Sequence, residues 1–252
     1  APGFLKYGEL EYAVGHFFKF RDGPYFVKGG ADSPENILGF TDFDNTPTAR
    51  LDYAAHVQDW QSGDPTWNNG MGKGIIGALN YLSSQGVNSI YFLPMNIGGD
   101  AKDTSPYVTV SSWSGSSSND NLHFDVSKLQ QWDIVFSHAQ KKGILLHFVL
   151  AEAEEKNKIE LDNTQPEDTV IGPERKLFYR ELVARFAHHN ALQWNMAEEY
   201  EYVYPLKPEL IKSWAQYMQD IDPYDHPITV HQQGSLHSEW DTFVGDPRFS
   251  VT

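Results

Sequence analysis

The sequence predicts an α/β fold built on a parallel sheet, and three observations carry that prediction. Apolar strand-like runs alternate with segments whose apolar residues recur at helical spacing. The runs are nearly continuous in apolar residues, as in Ile144 to Leu150, which suits strands buried on both faces. The loop after the first strand lacks a Gly-x-Gly-x-x-Gly pattern, so nothing favours a nucleotide-binding doubly wound sheet. A β/α barrel and an open doubly wound sheet both remain compatible with the alternation.

The elements follow in order. Phe17 to Phe20 and Tyr25 to Lys28 flank the turn Arg21-Asp22-Gly23-Pro24 and read as a hairpin, with Tyr25–Lys28 counted as the first sheet strand. Gly74 to Gln85 carries Ile75, Ile76, Leu79 and Leu82 at helical spacing; Ser89 to Leu93 is a strand stopped by Pro94. Val126 to Lys142 repeats Leu129, Trp132, Val135, Phe136 and Ala139, with Asp125 as N-cap and Gly143 as terminator. Ile144 to Leu150 is the next strand. Pro173 to His189 is a helix with proline suited to its first position. Leu192 to Ala197 is a strand, and Pro208 to Ile221 is a helix ended by Asp222-Pro223. Ile228 to His231 and Phe249 to Thr252 complete about six strands, expected as parallel neighbours, against the eight of a closed barrel. Ser111 to Asp120 reads as an exposed loop.

Composition bounds the function classes. The chain has 252 residues, no cysteine and a formal charge of −15; 40% of residues are hydrophobic and 14% aromatic, enough for a real core. The acidity argues against a nucleic-acid partner. Without cysteine there is no disulfide framework, thiol nucleophile or zinc–thiolate site. No apolar run approaches the ~20 residues that span a bilayer, so no membrane partner is expected. The chain opens Ala1-Pro2-Gly3 and stops within a strand-like run, which reads as a processed product or a fragment.

Polar residues collect where the strands end. Asp32 and Glu35 follow the first strand, Asn96 the second, Glu152 and Glu154 the third, Glu198-Glu199-Tyr200 the fourth and His231 the fifth. Five such ends would line one acidic bowl, suited to sugar hydroxyls that both donate and accept. Tyr200, Tyr202 and Trp113 would supply apolar faces. A carboxylic acid beside a second carboxylate can serve as a general acid, as glycosidic bond cleavage requires. Each residue also has a plain reading: solvated loop acids for Glu198-Glu199 and Glu152-Glu154, a helix cap for Asp32 to Glu35, loop acidity rather than calcium for Asp42 and Asp44, a core histidine for His147, and a helix C-terminal charge for His188-His189.

Several longer motifs carry a resemblance. Phe26 to Asn36, Phe124 to Leu129 with Trp132, Gly172 to Phe186, and Asp222 to Pro227 resemble a family of bacterial glycoside hydrolases in which a β-sandwich domain of the DUF5060 type precedes a barrel. The resemblance implies a (β/α)8 TIM barrel of clan A type, incomplete after about the sixth strand, over residues 16–252. Residues 1–15 would then be a linker or a remnant of the preceding domain. In that clan the fourth strand ends in Asn-Glu, with Glu as acid/base. Trp194 to Glu199 is similar, placing Glu199 there and Glu198 at the Asn position. The nucleophile would lie on a seventh strand beyond Thr252, so this fragment alone would be inactive. The resemblance implies a secreted, retaining enzyme without a cofactor. Glu199 would be its acid/base, and Asp32, Glu35, Asn96, Glu152, Glu154, Glu198, Tyr200 and His231 would bind carbohydrate. The missing C-terminal part of the barrel would be its partner, and an apolar surface is expected near Phe249, Val251 and the first strand. The alternatives are a non-catalytic carbohydrate-binding barrel and a metal-dependent hydrolase using Glu152, Glu154, Glu198 and His231.

Overall fold

The computed structural model describes residues 2–13, 17–30, 35–46, 51–95, 104–108, 121–152, 161, 168–202, 205–233 and 241–250. They contain two sheets. Strands β1 (Leu10–Ala13), β2 (Phe17–Phe20) and β3 (Tyr25–Phe26) form an antiparallel sheet. Strands β4 (Ser89–Phe92), β5 (Leu145–Val149), β6 (Leu192–Asn195) and β7 (Ile228–Thr229) form a parallel sheet in sequence order. Helices α1 (Lys73–Ser84), α2 (Val126–Lys142), α3 (Pro173–Phe186) and α4 (Pro208–Ile221) alternate with these strands. The order never reverses among them, so the doubly wound alternative does not describe this sheet.

Local chemistry sets the helix limits. Lys128 N donates to the Asp125 carboxylate at 3.1 Å, and Gly143 stops α2 at φ 77°, as the sequence predicts. The Ala54–Asp59 3-10 helix packs on α1 so closely that a Cβ on Gly77 would lie 1.9 Å from the His56 oxygen. Helix α4 ends at buried Asp222, whose carboxylate accepts from Trp194 Nε1 (2.9 Å), His226 Nδ1 (2.8 Å) and Tyr224 N (3.0 Å). Burial alone would raise this carboxyl; the bonds from His226, Trp194 and Tyr224 outweigh it and hold it below the usual range. The Asp222 to Pro227 motif is therefore a structural corner joining α4 to β6 and β7.

The parallel strands have two unlike faces, where the sequence reading expects apolar residues on both. Ile90, Phe92, Leu146, Phe148, Leu192, Trp194 and Ile228 pack in the main core with Ile76, Trp132, Phe136, Phe178 and Trp214 from the helices. Each such large side chain contributes roughly 1.5–3 kcal/mol by burial. The opposite face carries Tyr91, His147 and Gln193 in one row and Val149, Asn195 and Thr229 in the next.

Three expectations are corrected. Only Tyr25–Phe26 of the first predicted strand is extended sheet, and it pairs antiparallel with β2, not parallel with β4. The tight turn after β2 delivers these residues to β2 first. The chain beyond then runs beside β4: Asn88 N donates to Gly29 O at 2.9 Å and Leu93 N to Glu35 O at 3.1 Å. A Cβ on Gly30 would lie 2.2 Å from Ser89 O, so that approach needs glycine. Second, α3 stops at Phe186 rather than His189. Third, Phe249 is buried against Phe243 at 4.9 Å instead of exposed; Ser250 N donates to Ile228 O beside β7. Val251 and Thr252 lie outside the described residues. Tyr25 and Val27, within the first predicted strand, are exposed.

Among the described residues of 1–15 are a 3-10 helix (Gly3–Lys6) and β1. Phe4, Leu10, Phe18, Phe20 and Phe26 cluster with Leu145 and Ala191 at the N-terminal ends of β5 and β6. Leu10 N donates to Asn190 O at 2.7 Å, fixing the small sheet under the large one.

Candidate active site

The C-terminal ends of β4 to β7 lie opposite that aromatic cluster. Strand β6 changes alternation as it leaves the sheet. Leu150 N donates to Asn195 O at 2.9 Å, and the next bond towards the β5 side runs from Glu198 N to Ala151 O at 2.8 Å. Regular pairing would run from Ala197 N to Leu150 O, so donor and acceptor both advance by one there. On the β7 side Met196 N donates to Thr229 O, but the next bond from His231 N reaches Ala197 O instead of Met196 O. That extra β6 residue is the signature of a bulge, which re-aims a side chain. Glu198 thereby joins the face carrying His147 and Asn195. His231, just past β7, donates its backbone N–H to Ala197 O at 2.9 Å. Its Nδ1 stands 3.6 Å from Glu198 Oε1 and 3.1 Å from the Tyr91 hydroxyl. One carboxylate, one imidazole and one phenol from three different strands thus meet at this end.

Below them, buried His147 packs edge-on to Tyr91 at 4.7 Å, and its Nδ1 accepts from Lys28 Nζ. Burial, then the Lys28 charge, then His231 push His147 well below the ordinary histidine value, so it is neutral. This agrees with a core histidine. Gln193 Oε1, both amide atoms of Asn195, His147 Nε2 and Glu198 Oε2 are buried without a hydrogen-bond partner among the described residues. The face leading to the site therefore keeps unspent donors and acceptors.

Glu199 is half-buried and holds φ 44°, a left-handed conformation costly for a residue with a Cβ. Its carbonyl accepts from Tyr202 N at 2.9 Å, closing a tight turn at the strand end. Glu35 lies on the rim through its bond from Leu93 N. Glu152 is only 2% exposed, a buried acid rather than part of a solvated charge run. Tyr200 differs from expectation: it is 4% exposed, with its ring edge-on to Phe243 at 5.2 Å, and props the loop instead of offering a free face. Asp32, Asn96, Glu154 and Trp113 lie outside the described residues. Among the described residues, no three metal-ligating groups converge at the strand ends.

Tyr91 is a site residue that the sequence reading passes over. Its signal was available: alternation in Ser89–Phe92 turns Tyr91 away from Ile90 and Phe92, the two core positions. Asp42 and Asp44 are loop fasteners: Asp42 Oδ2 accepts from Gly72 N at 2.8 Å and Asp44 Oδ1 from Asn68 Nδ2 at 3.2 Å.

No protein-family model matches this sequence, and neither does any curated protein sequence. Solved structures do. A glycoside hydrolase family 5 protein of Bacteroides vulgatus aligns over 99% of this chain and 44% of its own, at 16% identity and TM-score 0.60. A second B. vulgatus structure aligns over 96% and 41%, at 16% identity and TM-score 0.59. The chain thus spans less than half the length of these two. The β-mannanase of the blue mussel Mytilus edulis aligns over 90% and 64%, at 17% identity and TM-score 0.53. At these identities the likeness shows the fold: the chain has a glycoside-hydrolase-like α/β architecture, its helices and parallel strands in sequence order.

Proposed function

We propose that the chain forms most of a (β/α)8 glycoside hydrolase that acts on a polysaccharide or oligosaccharide by retaining double displacement. The observation that carries this reading is the convergence of Glu198, His231 and Tyr91, from three of the four parallel strands, towards the C-terminal end of the sheet, beside a Glu199 held at positive φ. Catalytic groups of β/α barrels occupy that end. The mannanase and family 5 neighbours support the same class of chemistry. Glu199 protonates the leaving oxygen and then activates water; Glu198 and His231 bind substrate hydroxyls, with Glu35 on the rim. A second carboxylate about 5–5.5 Å from the acid is what the double displacement requires. Secretion accords with a polymeric substrate.

One observation favours a second assignment of roles. The bulge aims Glu198 at the face shared with His231, which would make Glu198 the acid/base and Glu199 its neighbour. The full-length protein should be assayed on mannan, cellulose and other glycans, with Glu199→Gln and Glu198→Gln compared on substrates with poor and good leaving groups. The acid/base variant loses turnover on poor leaving groups and keeps most of it on activated aryl glycosides. If the wild type binds these glycans but cleaves none, the barrel is a carbohydrate-binding module; if it does neither, the proposal fails.

A further inference from the structure

A separate cluster of ligating side chains sits on the outer helical wall. Asp133 belongs to α2, while His188 and His189 follow the Ala187 cap of α3. His189 Nε2 stands 3.2 Å from Asp133 Oδ1, and His188 Nε2 stands 3.6 Å from the same oxygen. All three ligand atoms lie within 4.8 Å of one another. A tetrahedral ion with metal–ligand bonds of about 2.0–2.2 Å sets neighbouring donors about 3.3–3.6 Å apart. Both distances to the aspartate oxygen are close to that edge length.

The two imidazoles are held in place. His189 is fully buried, lies edge-on to Phe136 at 6.3 Å, and its carbonyl accepts from His226 Nε2 at 3.0 Å. The His188 ring rests on the His189 ring at 4.1 Å, so their Nε2 edges reach the same carboxylate. A hydrogen bond from His189 to Asp133 accounts for one distance. It does not account for half-exposed His188 turning its Nε2 to the same oxygen, a contact worth little by itself at the surface. Asp133 and His188 are 40% and 49% exposed, which leaves water access to the remaining coordination positions. His188 also lines an open groove of about 430 Å³ with Arg180 and Val183 of α3 and Ile221 of α4.

We propose that Asp133, His188 and His189 bind a divalent transition-metal ion of the zinc class, which clamps α2 to the segment following α3. Two imidazole nitrogens with one carboxylate suit zinc, cobalt, nickel or copper and disfavour magnesium and calcium. The site is structural, lies away from the C-terminal strand ends, and does not depend on the glycosidase reading.

The test is titration of the chelator-stripped protein with Co²⁺ and Zn²⁺, followed by calorimetry and by cobalt d–d absorption. Expected are one saturable ion per chain, tetrahedral-type cobalt bands, and a Tm rise of roughly 5–10 °C at a hundredfold excess over Kd. Mg²⁺ should produce none of these. His188→Ala and Asp133→Asn should each weaken binding at least tenfold while leaving the metal-free Tm in place. Both positions are partly exposed, so neither change opens the core; His189→Ala is avoided for that reason. Absence of saturable cobalt binding, or wild-type affinity in either variant, overturns the proposal.

Discussion

The two ends of the parallel sheet are built from opposite materials. At the N-terminal end Phe4, Leu10, Phe18, Phe20 and Phe26 seal Leu145 and Ala191 under a small antiparallel sheet. At the C-terminal end the same strands release Glu152, Glu198, Glu199 and His231. The lower end gains stability from this apolar packing. The upper end gives up regular pairing, through the bulge before Glu198 and the positive φ of Glu199, and brings Glu198, His231 and Tyr91 together. Stability and chemistry are thereby separated along the strand axis, and mutations at the two ends should fail in different ways.

The largest separation is expected from one substitution at each end. Glu199→Gln in the full-length protein should lower turnover on unactivated glycans by about 10²–10⁴-fold with the melting temperature unchanged. Phe20→Ala should do the reverse. It should destabilise by about 3–5 kcal/mol, read as a lower midpoint in urea, while the folded fraction keeps its turnover. Equal loss of stability in both variants would break the comparison.

How much of this was legible in the sequence follows from range. Helix α2 was readable because its signals are local: Asp125 caps it, Gly143 ends it, and the apolar spacing lies between. Helix α4 was readable for the same reason. The fate of Tyr25–Lys28 was legible in part: the turn Arg21 to Pro24 announces the pairing of Tyr25–Phe26 with β2, whereas the passage of the following residues beside β4 rests on tertiary packing around Gly30. β1 is short, and its significance depends on Phe4 and the distant Asn190 carbonyl. At the upper end, the position of Glu198-Glu199 after β6 was legible from the run Leu192 to Ala197. Which of the two faces His231 was not, since a one-residue bulge decides it. The burial of Tyr200 depends on Phe243, a partner that no local pattern announces.

The helix layer between the two ends should carry a pH response of its own. His138 on α2 is buried, its Nε2 bonded to Asn80 Oδ1 at 2.9 Å, and burial lowers its pKa to about 4 from an ordinary 6.5. Between those values the unfolded chain binds a proton that the folded chain refuses. This contribution to stability is therefore complete above about pH 6.5 and is lost as pH falls towards 4. Chemical denaturation from pH 7 to 4 should show the decline, and His138→Gln should flatten it over that window.

The smallest effect belongs to Tyr91. Tyr91→Phe removes the hydroxyl that meets His231 Nδ1 and keeps the ring against His147. A loss of about 1 kcal/mol, roughly fivefold in kcat/KM, is expected with little change in the urea midpoint. A larger loss of stability than of activity would place Tyr91 with the core instead of the site.

The most direct test of the division between the ends is to see where a sugar chain sits. Manno- or cello-oligosaccharide should be soaked into crystals of the full-length Glu199→Gln protein, or titrated against the labelled protein by NMR. Density or shifts are expected at Glu198, Glu199, His231 and Glu35, with none around Phe20 and Phe26. Saccharide bound at the hairpin end, or saturable binding that leaves His231 and Glu198 unperturbed, would contradict it.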